Sequence, residues 1–136
     1  MDKTAFTQTI ERIKGGDHYD PQDASTKSLI KRIEMEGKVA RKTVDALLDA
    51  GFTIGVNDGE ETVLKHSTSV NAIMGALFST DSDYVIAYNA TTQKRVGAVH
   101  LVYGNEGHDL ISDYSTSLEA ALKTAEAYAD ALAETA

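Results

Sequence analysis

The chain has no cysteine and no tryptophan, a single proline in 136 residues, and no apolar run near the roughly 20 residues that a bilayer-spanning helix needs. The lack of cysteine excludes disulfides, thiolate zinc sites, cysteine-held iron–sulfur clusters and thiol nucleophiles together. Met1-Asp2-Lys3-Thr4-Ala5-Phe6 carries no apolar core of the secretory kind, so the expectation is a cytoplasmic protein with no membrane contact. Basic residues are also scarce, 13 against 21 acidic, for a net charge of −8. Apolar residues at 42% and charged residues at 25% are nonetheless the balance of a chain that folds. The length suits one domain over residues 1–136.

Charge is distributed unevenly. Through Lys65 there are 10 basic and 12 acidic residues; from His66 onward there are 3 basic and 9 acidic. An acidic second half disfavours nucleic acid as a partner and suits a basic protein surface.

Residues 4–13 read as a short lead helix stopped by Gly15-Gly16, so that residues 1–20 form a loosely attached segment. Asp17 to Pro21 reads as a turn, with Asp20 as N-cap and Pro21 opening a helix. Leu29, Ile30, Ile33, Gly37, Ala40, Val44, Leu47 and Leu48 keep helical spacing up to Gly51, as one helix or as two broken at Gly37. The period then switches to two: Phe52–Val56, an Asn57-Asp58-Gly59 turn and Glu61–Lys65 form a hairpin. Ser67, Thr68 and Ser69 can cap a helix through Val70, Ile73, Met74, Leu77 and Phe78, ended by Asp81-Ser82-Asp83. Strands over Tyr84–Tyr88, Arg95–Tyr103 and Asp109–Tyr114 follow, with connections too short for parallel crossovers. A last helix carries Leu118, Leu122, Ala125, Ala129 and Leu132. The predicted fold is α+β: a mostly antiparallel five-stranded sheet of hairpin, helix and three-stranded meander, with helices packed on one face. Alternation sorts the middle meander strand into Val96, Ala98, His100 and Val102 on one face and Gly97, Val99, Leu101 and Tyr103 on the other, without saying which meets the helices.

No Gly-x-Ser-x-Gly turn, lysine-bearing phosphate loop or helical His-x-x-x-His pair occurs, and no cofactor or metal site is expected. Three candidate surfaces stand out. Tyr103, Glu106, Asp109, Asp113 and Tyr114 combine tyrosines, suited to protein interfaces, with carboxylates. His100 with Asp109 or Asp113 offers the groups of a small metal-dependent or acid–base enzyme, since Asp109 and Asp113 share one side of a regular strand. Lys27, Lys31, Lys38 and Lys42 align on the helix at 27–42 and offer a phosphate stripe for a nucleic-acid-binding accessory protein, although Glu34, Glu36, Asp45 and Asp49 intersperse them.

The stretch from Gly51 through Glu119, with "VNDGEETVLKHSTSVNAIMGALFSTDSDY", "KRVGAVHLVYGNEGHDLISDYS" and the following "TSLE", resembles small uncharacterised proteins of proteobacterial bacteriophages and mobile elements. It covers about half the chain and leaves the N-terminal helices unmatched. The resemblance brings no catalytic residues and implies a genomic setting. In that setting the leading expectation is a non-catalytic domain that binds a host protein, as an inhibitor of a defence or nucleic-acid-binding protein whose phosphate-binding surface its carboxylates occupy.

Overall fold

The computed structural model of the chain describes residues 5–16, 19–20 and 22–135. Helices α1 (Ala5–Lys14) and α2 (Ala24–Asp49) lead into the hairpin β1 (Phe52–Asn57) and β2 (Thr62–Ser67). Helix α3 (Val70–Ala76) then crosses to the meander β3 (Ser82–Asn89), β4 (Arg95–Val102) and β5 (Ile111–Tyr114). A 3-10 turn at Thr116–Leu118 opens α4 (Glu119–Thr135). The strands form one sheet in the order β2-β1-β3-β4-β5, and every adjacent pair is antiparallel. The α+β class and the hairpin–helix–meander order are those predicted.

Alternation decides which face is buried. Ile54 and Val56 on β1, Val85 and Ala87 on β3, and Val99 and Leu101 on β4 are each 0% exposed. They meet Ile33, Val39, Ala40, Val44 and Leu47 of α2 and Leu122 of α4 in one continuous core. Burying each such aliphatic side chain stabilises the fold by about 1.5–3 kcal/mol. His100 therefore stands with Ala98 on the face away from the helices. There Tyr84 stacks on the His100 ring, centroids 4.4 Å apart and planes 11° off parallel. Tyr88 packs against His66 at 4.2 Å, where a Cβ added at Gly55 would lie 2.8 Å from the Tyr88 ring.

Several local features depart from the expectations. Helix α2 is capped by Asp23, which accepts from the Thr26 N–H at 2.8 Å. Asp20 instead accepts from Gln22 N–H at 2.9 Å, one turn too early, and Asp17, His18 and Pro21 lie outside the described residues. Of the two forms expected, the helix takes the unbroken one through Gly37, where a Cβ would stand 3.5 Å from the Phe6 ring, so the close approach is to α1. Phe6 is 3% exposed and stacks on Phe78 at 4.5 Å, which joins the lead helix to the core.

Helix α3 stops at Ala76, short of Leu77 and Phe78. Phe78 turns to φ 68° and donates its N–H to Asp83 Oδ2 at 2.8 Å and to the Tyr103 hydroxyl at 3.2 Å. Asp83 is thus a buried strand residue whose carboxylate takes the first N–H beyond the helix end. Ser69 caps α3 through the Ala72 N–H, and Asn57 and Asp58 spend side-chain oxygens on the N–H groups of their own turn. Among the described residues no helix is long and apolar enough to cross a membrane.

Candidate functional site

Strand β5 closes one edge of the sheet and is only four residues long. Its register sets the directions of its side chains. Tyr114 pairs with Val99 and Ile111 with Leu101, so both follow those core residues toward the helices, while Asp113 pairs with His100 on the open face. Glu126 on α4 faces the Tyr114 phenol and, as acceptor and as charge, raises it above its ordinary range. Glu126 and Asp130 are four residues apart and so lie one above the other on α4. Together with Asp109, Asp113, Tyr114 and His108 they line a groove of about 500 Å³ between the sheet edge and α4. Among the described residues no lysine or arginine lines it.

The turn bearing Asp109 is anchored from below. Gly104 N–H donates to Glu36 Oε2 at 2.7 Å, and the Tyr103 hydroxyl donates to Asp83 Oδ2 at 2.5 Å. Both carboxylates are 0% exposed, and burial, the dominant cause for each, raises them above the ordinary range. Glu36 has Arg32 at 3.8 Å as a distant counter-charge, and its Oε1, like Asp83 Oδ1, has no hydrogen-bond partner. Burial, and then the Asp83 charge, raises the Tyr103 phenol. Asp109 closes the turn from above by accepting from Glu106 N–H at 3.0 Å and Gly107 N–H at 3.2 Å, which is why β5 starts at Ile111 and not at Asp109.

Of the five residues expected at an interface, three line this groove: Asp109, Asp113 and Tyr114. Glu106 is exposed just outside it, 2.8 Å from His108 Nε2. Tyr103 is corrected: at 9% exposure and with its hydroxyl held by Asp83, it is a buried strut and offers a partner no surface. Glu126 and Asp130 were missed. Their i, i+4 spacing on the last helix was readable, but their approach to β5 is a tertiary fact.

His100 and Asp113 pair across the ladder and line one groove of about 240 Å³ with Tyr84 and Arg95, whereas Asp109 is held in its turn, so only two of the three come together. Among the described residues no hydrogen bond joins His100 to either aspartate, and no group of three or more histidine or acidic side chains could hold a metal ion. Lys27, Lys31, Lys38 and Lys42 are all exposed on α2, but on a face of mixed charge where Arg41 pairs with Asp45 at 3.5 Å. Lys42 sits 5.3 Å from the centroid of the Tyr128 ring.

The chain matches no family model, and neither a curated protein nor a solved structure matches it significantly.

Proposed function

We propose that the domain is a non-catalytic protein-binding module whose acidic groove takes an extended basic segment of a host protein. The observation that carries this reading is a groove lined by Asp109, Asp113, Glu126 and Asp130, with no lysine or arginine among the described residues, beside a strand whose outer edge no other described strand covers. An uncovered edge can hydrogen-bond an added strand, and carboxylates beside it select lysine and arginine on that strand. A segment of that composition ordinarily meets phosphate, so occupying it would inhibit a nucleic-acid-binding protein. The resemblance to phage and mobile-element proteins supports that setting.

A titration of isotope-labelled protein with an extended peptide of alternating arginine and threonine tests the reading. The expected result is saturable, salt-sensitive binding with shifts concentrated at 109–114 and 126–130. A D113N/E126Q/D130N variant should bind about tenfold more weakly. Equal binding by that variant, or shifts confined to other elements, would overturn the proposal.

A further inference from the structure

On the other flank of α4 lies a second groove, of about 470 Å³, with different chemistry. Its floor is apolar, from Phe6 and Ile10 of α1, Ile33 of α2 and Met74 of α3. Along one wall stand Lys38, Arg41 and Lys42 of α2. Arg41 is engaged by Asp45, and among the described residues Glu34 is the one carboxylate in the wall. Lys38 and Lys42 form no ion pair among the described residues. Lys42 instead rests over Tyr128, a contact that leaves the ammonium able to donate to an anion.

Two cations without an ion pair among the described residues, beside an apolar trough on a chain of net charge −8, match a ligand with one anionic end and one apolar end. The volume falls within the roughly 300–1,000 Å³ of small-molecule sites. We propose that this groove binds a single-chain amphiphile with an anionic head: the alkyl tail lies on Phe6, Ile10, Ile33 and Met74, and a carboxylate, sulfate or phosphate meets Lys38 and Lys42. Lys27 and Lys31, about two to three turns nearer the start of α2, take no part. The basic stripe is thereby divided, and its functional half is the pair beside the trough.

Calorimetry with monomeric dodecanoate, dodecanol and dodecyltrimethylammonium, together with amide shift mapping, tests the assignment. Dodecanoate is expected to bind one to one, with shifts at 6–10, 33–42, 71–74 and 128. Decanoate should bind about tenfold more weakly, since each methylene contributes roughly three- to fourfold. Dodecanol should bind about tenfold more weakly than dodecanoate, and the trimethylammonium should not saturate. A K38Q/K42Q variant changes only exposed positions and keeps the fold. It should lose about tenfold for dodecanoate and nothing for dodecanol. Phosphatidylglycerol vesicles that sediment the protein and are competed by dodecanoate would identify a lipid as the source of the head group; binding of the monomer alone would identify a free amphiphile. The proposal is overturned by non-saturating dodecanoate, by shifts outside the groove, or by equal dodecanoate affinity in K38Q/K42Q.

Discussion

Glu36 and Asp83 show how single residues set the pH response. Because burial raises both, the native state favours their protonated forms. The stability they contribute is complete below the unfolded-state pKa, about 4, and is lost as pH rises through the higher folded-state pKa. Glu36→Gln keeps an acceptor for Gly104 N–H and removes the buried charge. Its unfolding free energy in urea should exceed that of the parent at pH 8 by about 1 kcal/mol, with the two converging near pH 4. Parallel profiles across that range would mean that Glu36 is solvated in the native state. Asp23 has the opposite sign: hydrogen bonds from Thr26 lower it, so its contribution is present above the unfolded pKa and fades as pH falls through the folded one. Asp23→Ala should therefore melt lower than the parent at pH 7, and the gap should close in strong acid. Gly55→Ala places a Cβ 2.8 Å from the Tyr88 ring and 2.9 Å from the backbone carbonyl oxygen of Leu64. A loss of about 1–3 kcal/mol in denaturant unfolding is expected.

Among the elements, regular periods were readable and their endings were not. The two-residue period located all five strands, and the helical period located α2 and α4, because both report which side of an element is apolar. The end of α3 was overrun since Leu77 and Phe78 continue the helical stripe, while what stops the helix is Asp83 and Tyr103, brought from two strands. Asp20 with Pro21 had the composition of a helix start, yet Asp23 holds the cap. The site divides in the same way. Asp109, Asp113 and Tyr114 were found through their closeness in sequence; Glu126 and Asp130 required the packing of α4 beside β5. Helix α1 brings a prediction at this scale, since Phe6 is 3% exposed and packs on both Phe78 and Tyr103. Phe6→Ala should cost about 3–5 kcal/mol in a single cooperative transition. A separate low-stability phase with the main transition unchanged would instead mark α1 as an independent attachment.

At the scale of the molecule, α4 separates two grooves of opposite charge. Glu126 and Asp130 face β5, and Tyr128, about 200° from each around the helix, faces the lysines of α2. Between them Leu122, Ala125 and Ala129 fix α4 to the core at 9% exposure or less, so neither groove can fill by rolling the helix. Coupling between two sites requires an element with two arrangements that both ligands bias. A helix pinned by three buried side chains provides no such second arrangement. What remains is direct attraction or repulsion between bound charges, which salt screens over about 10 Å at 0.1 M. Basic-peptide affinity measured with and without saturating dodecanoate should therefore differ by less than about twofold at 0.15 M salt. A larger change that persists at high salt would show that α4 moves, and would turn two independent grooves into one regulated site.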